Sequence, residues 1–320
     1  MREALIVSTA RTPIGKAYRG AFNATGGQAL GGHAIKHAVE RAGIEGGAVE
    51  DVYMGTALIQ GSTGMNFGRQ AAMKAGLPVS VPGMSLDRQC SSGMMAIASA
   101  AKAVITDGLN IAVGGGGESI STVQNENQRT DGIADAELKE KLPGLYYSML
   151  ETAEVVGERY GVSRESQDEY AFNSQMKTAA AQEAGKFDDE IVPLPSTMKF
   201  QNKETGEILD RDVTLEKDEG NRPSTTLEGL NGLQPVFKGG HQIKEGKHIT
   251  AGNASQLSDG ASASVVMEAK EAEKRGIEPM GRFVSVVSVG CEPDEMGIGP
   301  IYAVPKLLEL NGLKIDDIGL

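Results

Sequence analysis

The sequence predicts an α/β protein with a parallel or mixed sheet that is covered by helices. Through the first third of the chain, short apolar runs typical of buried strands alternate with longer amphipathic runs typical of helices. Glycine supplies 42 of the 320 residues, and α/β folds use glycine in tight turns and at close backbone approaches. No apolar run is long enough to predict a transmembrane span.

The elements of the first third follow one another at short intervals. Gly43 and Gly76 stand directly after two amphipathic runs, where a left-handed residue commonly ends a helix. The expected order is strand 4–8, helix 30–42, strand 51–55, helix 67–75, strand 84–88, helix 94–106 and strand 110–113. The last strand leads into the run Gly114 to Gly117. This run lacks the Lys-Ser or Lys-Thr of a phosphate-binding loop, so we expect a tight turn at the edge of the sheet.

A polar stretch from about 120 to 247 interrupts the alternation. Two helices with apolar stripes are expected within it, at 152–160 and 164–184, the second with Ser163 as its N-cap. The apolar stripes indicate a large insertion rather than a linker. After Ile249 the expected elements are strand 264–267, helix 270–275, strand 282–289 and helix 302–310, with Pro305 in the first turn of the last helix.

The net charge of the chain limits the kinds of partner that it is expected to bind. With 31 Lys and Arg against 43 Asp and Glu, the formal net charge is −12, which disfavours binding to nucleic acid or to anionic membranes. The N-terminal residues lack the basic, apolar and small-residue segments of a signal peptide. We therefore expect a cytoplasmic protein.

Neither cysteine nor histidine content predicts a disulfide framework or a metal site. Cys90 and Cys291 are too few for disulfides, and neither has the spacing of a metal ligand. Cys291 is expected in the core or at an interface. His33 and His37 are expected on a half-exposed helix face, without the third ligand that a zinc site requires. His241 and His248 are expected in a solvated loop.

Cys90 is the strongest candidate for a catalytic residue. A predicted strand ends shortly before it, and a predicted helix begins shortly after it. A cysteine at such an elbow lies at a helix N-terminus, whose partial positive charge favours the nucleophilic thiolate, and nearby backbone N–H groups can bind an oxyanion. The same pattern is compatible with a buried, unreactive cysteine.

Five segments, in chain order, resemble signature segments of the thiolase family. The segments around Cys90 and Asn253 are the most specific, and the resemblance extends over the whole chain. The five are Arg11-Thr12-Pro13-Ile14-Gly15, the nucleophile motif Cys90-Ser91-Ser92-Gly93, the segment from Gly115 to Ser121, the segment from Thr250 to Ala261, and Met296-Gly297-Ile298-Gly299-Pro300.

The resemblance implies a thiolase-like fold, in which a mixed five-stranded sheet carries helices on both faces in αβαβα layering. Residues 1–118 and 249–275 would form the N-terminal core. Residues 119–248 would form a loop domain inserted for coenzyme A (CoA) binding and assembly, and residues 276–320 would begin the C-terminal half. The first half is expected to be complete and the second truncated. The stretch 124–144 resembles an assembly loop, so a homodimer or homotetramer is implied.

The resemblance also implies an acyltransferase of fatty acid metabolism, with acyl-CoA and CoA as substrates and no tightly bound cofactor. Cys90 would attack a 3-oxoacyl-CoA, release acetyl-CoA and pass the remaining acyl group to a second CoA, or catalyse the reverse condensation. Arg222 matches the arginine near the CoA adenine, and Met296 lies in the loop near the acyl pocket. Met149, Phe237, Ala251 and Ser255 match positions that line the pantetheine tunnel. Where many thiolases have a His-Met pair, this chain has Ser148-Met149.

Three segments of the family pattern that follow the helix near Leu310 are not found in the sequence: Asn-Glu-Ala-Phe, Gly-His-Pro and Cys-x-Gly-Gly. We therefore expect the C-terminal part to be lacking and the catalytic set of these 320 residues to be incomplete. Two alternatives stay open. One is a ketoacyl synthase-like condensing enzyme, which the loop insertion and the Asn253 segment disfavour, and the other is a non-catalytic, thiolase-derived partner protein.

Overall fold

The computed structural model describes residues 2–319. The chain divides into two compact units, each assembled from three stretches of sequence. The first unit comprises Met1–Arg129, Lys186–Gly220 and Gln256–Val284, and the second comprises Thr130–Gly185, Asn221–Ser255 and Ser285–Leu320.

The first unit is built on a mixed sheet. Its strands are β1 (Ala4–Arg11), β2 (Gly15–Lys16), β3 (Asp51–Gly55), β4 (Met84–Leu86), β5 (Ile111–Ser119), β6 (Leu194–Gln201), β7 (Ile208–Leu215), β8 (Ser258–Glu268) and β9 (Gly281–Arg282). The main sheet has the order β4-β3-β5-β8-β1, and the two-residue strands β9 and β2 pair with β1 and β8. β3 is parallel to β4 and β5, whereas β8 is antiparallel to β5 and β1. β6 and β7 form a separate antiparallel hairpin.

The helices are distributed over both units. Those of the first unit are α1 (Gly27–Arg41), α2 (Phe67–Lys74), α3 (Ser92–Lys102), α4 (Ile120–Val123) and α9 (Ala269–Arg275), and those of the second are α5 (Ala136–Lys141), α6 (Met149–Arg159), α7 (Arg164–Glu183), α8 (Leu227–Asn231) and α10 (Gly299–Asn311).

The central strands of the sheet are buried on both faces. Successive side chains of a strand point to opposite faces, and here Val113 and Val265 join a core cluster with α1 and α2, whereas Ala112 and Val266 join a cluster with α3. Helices on both faces explain why β5 and the end of β8 consist of continuous apolar or small residues rather than alternating ones. The expected mixed sheet with helices on both faces is confirmed.

Several expected elements differ from the observed ones. The glycine run 114–117 lies inside β5, between β3 and β8, so the predicted edge turn is wrong. The predicted strand 282–289 is reduced to the two residues of β9, and the β6–β7 hairpin was not predicted. Pro305 is inside α10 rather than in its first turn. Ser163 does cap α7, accepting a hydrogen bond from the N–H of Ser166 at 3.2 Å.

Candidate active site

Cys90 lies in the turn between β4 and α3, and its side chain is exposed. The alternative of a cysteine buried in the core is therefore wrong, whereas the reactivity of Cys90 stays a prediction. The preceding residue, Gln89, has a φ of 48°, in the left-handed region that non-glycine residues rarely adopt and that carries a strain of roughly 1–3 kcal/mol. Such strain persists only where the surroundings fix the backbone.

Side-chain hydrogen bonds within the turn hold the backbone of Gln89 in this conformation. The carboxylate of Asp87 accepts a hydrogen bond from the N–H of Gln89 at 2.6 Å. The hydroxyl of Ser92 accepts one from the N–H of Arg88 at 2.8 Å and donates one to the carbonyl oxygen of Gln89 at 2.6 Å. Ser92 is 3% exposed, so both of its hydrogen bonds are sheltered from water. The elbow is a tightly bonded turn that presents Cys90 outward.

Two glycines of the sheet bring the start of α3 close to the strands. A Cβ on Gly55, the last residue of β3, would collide with the backbone of Ser92. A Cβ on Gly114 of β5 would lie 2.6 Å from the Cα of Ile97. The glycine run therefore serves close helix–strand packing, which holds the N-terminal half of α3, and with it the Cys90 turn, against the sheet.

The histidines of the first unit are engaged on α1. Nε2 of His33 lies 3.3 Å from the carbonyl oxygen of Val192, and Nδ1 of His37 lies 2.9 Å from the carboxylate of Glu40. Burial and the neighbouring His37 lower the pKa of His33. Within residues 2–319, no cluster of three or more potential metal-ligating side chains is found.

The Arg11 segment has a structural role in the first unit. The guanidinium of Arg11 forms two hydrogen bonds with the carboxylate of Asp218, at 2.7 and 2.9 Å, and a third with Glu190 at 2.8 Å. A carboxylate oxygen of Asp218 also accepts the N–H of Ile14 at 2.8 Å. Arg11 thus fixes the segment after β1 to the chain that follows the β6–β7 hairpin.

All the residues expected to contact CoA or the acyl chain lie in the second unit: Met149, Arg222, Phe237, Ala251, Ser255 and Met296. Phe237 is buried, and the other five are exposed. Met149 is the first residue of α6, and Met296 lies in the 3₁₀ turn Pro293–Ile298 that packs against α6.

Two buried carboxylates of α6, which the sequence analysis missed, organise the segment between Phe237 and Ala251. Glu154 is 1% exposed and accepts hydrogen bonds from the N–H groups of Lys247, His248 and Ile249 at 2.8 to 3.1 Å. Glu151 is 4% exposed and accepts those of Gln242 and Ile243 at 2.6 and 3.1 Å. A buried carboxylate needs hydrogen-bond donors or a cationic partner, and here backbone N–H groups act as the donors in place of a lysine or arginine. His248 is half-buried against Gly157, so its expected solvation is wrong.

Asn253 connects the Thr250–Ser255 segment to α7. Its side-chain oxygen accepts the N–H of Thr250 at 2.8 Å, and its amide nitrogen donates to Asp168 and to the carbonyl oxygen of His248, both at 2.9 Å. Asp168 is fully buried and is paired with Arg164 at 2.7 Å. The segment around Asn253 is therefore one hydrogen-bonded network within the second unit.

Comparison with known proteins identifies relatives over the whole chain. Residues 4–270 match the model of the thiolase N-terminal domain, and residues 277–320 match that of the thiolase C-terminal domain. The chain is 40% identical to a 3-ketoacyl-CoA thiolase of Bacillus subtilis, over 100% of this chain and 80% of that protein. It is also 40% identical to an acetyl-CoA acetyltransferase of Rhizobium meliloti, over 99% of this chain and 78% of that protein.

A crystal structure of the Bacillus anthracis acetyl-CoA acetyltransferase superposes with a TM-score of 0.83 at 36% identity, covering 100% of this chain and 79% of that one. The expectation that the C-terminal part is lacking and the second half truncated is not supported, because residues 277–320 match the C-terminal domain. The comparisons likewise give no support to the expectation of an incomplete catalytic set. Matches to both domain models and full-length similarity to named thiolases place this chain in the thiolase family.

Proposed function

We propose that this protein is a thiolase-type acyltransferase in which Cys90 carries the acyl group as a thioester. The exposed position of Cys90, on a strained and tightly bonded strand-to-helix elbow, carries the proposal. Strain at a non-glycine residue beside an accessible nucleophile is a common feature of functional sites. The names of the relatives agree with this chemistry.

In the degradative direction, the thiolate of Cys90 attacks the 3-keto carbon of a 3-oxoacyl-CoA. The bond between C2 and C3 breaks, the C2 carbanion takes up a proton, and acetyl-CoA leaves. The thiolate of a second CoA then attacks the acyl-cysteine, forms the shortened acyl-CoA and releases the Cys90 thiolate. The condensation of two acyl-CoA molecules is the same sequence in reverse.

The test is intact-mass measurement after mixing the protein with acetoacetyl-CoA. The wild type and a Cys291→Ala variant should gain one acetyl group, and Cys90→Ala should gain none. Cys90→Ser should fold and remain unacylated, because an unassisted hydroxyl is a far weaker nucleophile than a thiolate. Equal acyl mass on the wild type and Cys90→Ala would contradict the proposal.

We propose that the second unit holds CoA, as substrate rather than as a bound cofactor, through Arg222, Met149, Phe237, Ala251 and Ser255, with Met296 beside the acyl group. The buried Glu151 and Glu154 support this assignment, because they fix the backbone between Phe237 and Ala251. The exposed guanidinium of Arg222 supports a contact with an anionic ligand. The assignment of residues 1–118 and 249–275 to the core, 119–248 to the loop domain and 276–320 to the C-terminal half remains part of this proposal.

We also propose a homodimer or homotetramer. β4 is the edge strand of the main sheet, and an uncovered edge can pair with another chain. Large apolar side chains near that edge are exposed: Met65 by 93%, Val79 by 82%, Met84 by 42% and Met94 by 58%. Light scattering at micromolar concentration is expected to give at least the mass of a dimer, and a monodisperse monomer would contradict this part of the proposal.

A cytoplasmic location is proposed from the sequence. Among residues 2–319, no helix has both the length and the apolar character required to cross a bilayer.

A further inference from the structure

A cleft of about 520 Å³ opens in the second unit, beside the N-terminus of α6. One side is formed by α5 and the segment that joins it to α6, and the other by the turn after Phe237. The side chains that line it include Lys139, Tyr146, Tyr147, Glu151, His241 and Lys244.

Two lysines, Lys139 and Lys244, line the cleft in a protein whose net charge is −12. Among the described residues, the ammonium groups of Lys139 and Lys244 have no carboxylate within 4 Å. Lys244 donates instead to the carbonyl oxygens of Gly240 and His241, both at 2.9 Å. Neighbouring lysines outside the cleft are paired: Lys141 with Glu137, Lys238 with Glu245, and Lys247 with Glu158.

The cleft wall also contains one carboxylate, Glu151, whose negative charge offsets part of the charge of the two lysines. Glu151 is 4% exposed, and one of its oxygens accepts the N–H groups of Gln242 and Ile243. Nδ1 of His241 lies 3.0 Å from the hydroxyl of Tyr147. The cleft therefore offers two unpaired ammonium groups beside two tyrosine rings, Tyr146 and Tyr147.

The cleft adjoins residues of the second unit that are proposed to hold CoA and the acyl group. Ser148, the N-cap of α6, directly precedes Met149, and Phe237 is shared by the cleft and the proposed pantetheine tunnel. Gly144, next to the lining residue Pro143, packs against Asp294, so that a Cβ there would lie 3.0 Å from the Cβ of Asp294. Asp294 lies in the same 3₁₀ turn as Met296.

We propose that this cleft binds a carboxylate at the far end of the acyl chain, so that the preferred substrates are CoA esters of dicarboxylic acids. The inference rests on the proposed function. The tyrosine rings would cover the methylene groups of the chain, and the ammonium groups of Lys139 and Lys244 would pair with its terminal carboxylate. A chain that ends in a methyl group would leave both ammonium groups without an anionic partner, which gives the discrimination its physical basis.

The test compares adipyl-CoA with hexanoyl-CoA, which have the same chain length and the same CoA but end in a carboxylate and a methyl group. Binding is measured by calorimetry in a Cys90→Ala background, so that no acyl transfer occurs. Adipyl-CoA is expected to bind about three- to tenfold more tightly, because ion pairs with exposed lysines such as Lys139 and Lys244 contribute only modestly. Lys139→Met should remove most of that difference while leaving hexanoyl-CoA unchanged. Lys141→Met, on the same helix but outside the cleft, is the matched control and should preserve it.

Three other results of these binding measurements would contradict the proposal. Equal affinity for the two esters in the parent protein would overturn it. If Lys139→Met and Lys244→Met each weakened both esters equally, the cleft would bind a phosphate of CoA rather than the acyl chain, which also overturns it. Failure to bind either ester, with the circular dichroism of the folded protein retained, would refute the proposed CoA function itself.

Discussion

Glu154 should be one of the most important single residues for the stability of the second unit. Its carboxylate is 1% exposed and is the acceptor for three consecutive N–H groups, those of residues 247 to 249. Replacing it by alanine removes three charge-assisted hydrogen bonds and leaves their donors without a partner. An unsatisfied buried donor costs about 1–3 kcal/mol. Because Lys247 is exposed and water can enter the vacated space, we expect a total loss of about 3–5 kcal/mol.

Glu158 provides the matched control on the same helix. It forms an exposed ion pair with Lys247 at 3.2 Å, with 56% and 71% of the two side chains accessible. Exposed pairs contribute between roughly zero and 1 kcal/mol. Glu158→Ala should therefore change the stability by less than about 1 kcal/mol.

Hydrogen–deuterium exchange measures the local effect, and urea unfolding the global one. The chain has no tryptophan, so circular dichroism should follow the unfolding. In Glu154→Ala, the amides of residues 247 to 249 should lose protection and the urea midpoint should fall, whereas Glu158→Ala should resemble the wild type. Unchanged exchange at these three amides, together with an unchanged midpoint, would refute the reasoning.

Three further predictions concern the glycine run, the buried aspartate of β8 and the CoA site. Gly114→Ala should destabilise the protein by about 1–3 kcal/mol in urea unfolding, because its Cβ would lie 2.6 Å from the Cα of Ile97. Gly281 has open space around it, so Gly281→Ala should be close to neutral. Equal effects of the two substitutions would contradict the packing argument. Burial raises the pKa of Asp259, although hydrogen bonds from Ser121 oppose the rise. A raised folded-state pKa adds stability at low pH that is lost as the pH rises above the ordinary value of 3.8. As the pH rises from 3.8 through the raised pKa, the melting temperature of the wild type should therefore fall relative to that of Asp259→Asn. A relative rise would show that the pKa of Asp259 is lowered instead. Arg222→Ala should weaken CoA binding by roughly 1–2 kcal/mol in calorimetry, and unchanged affinity at low salt would remove Arg222 from the site.

The sequence predicted the elements of the first unit well where local pattern and tertiary environment agree. Strand 51–55 and the helices that begin near Leu30 and Phe67 were found within three residues of their expected bounds. Their apolar periodicity and glycine C-caps are local signals. The Cys90 elbow was also anticipated, because a strand pattern stopped and a helix pattern began on either side of it.

The failures arise where tertiary contacts outweigh local propensity. Four consecutive glycines disfavour a strand by their intrinsic flexibility. In β5, however, α3 packs closely against Gly114 and Gly116, whereas β8 crowds Gly115 and both β8 and α2 crowd Gly117, so only small residues fit. The apolar run 282–289 has the composition of a strand, but only its first residue pairs with β1. Arg282 pairs with Leu5, one residue from the start of β1, so the antiparallel run soon passes the end of that strand. Composition alone does not show at which residue of β1 this run begins to pair, or how many residues of β1 remain beyond that point.

The charged residues of the second unit were the least predictable part of the site. Glu151, Glu154 and Glu158 follow one another at helical spacings of three and four residues, but the first two are buried and the third is exposed. The difference comes from the segment 242–249, whose backbone N–H groups face one side of α6. A helix that starts with an acidic first turn gives no sequence signal for that contact.

Transfer of an acyl group from Cys90 to CoA is the most direct test of the central claim. The protein is loaded with a radiolabelled acyl group from its CoA ester, freed of small molecules, and divided into samples with and without CoA. With CoA, the label should leave the protein and appear as acyl-CoA, whereas without CoA it should remain bound to the peptide that contains Cys90. Label that remains on the protein in the presence of CoA, or leaves as free acid at the same rate in both samples, would contradict an acyltransferase in which Cys90 is the carrier.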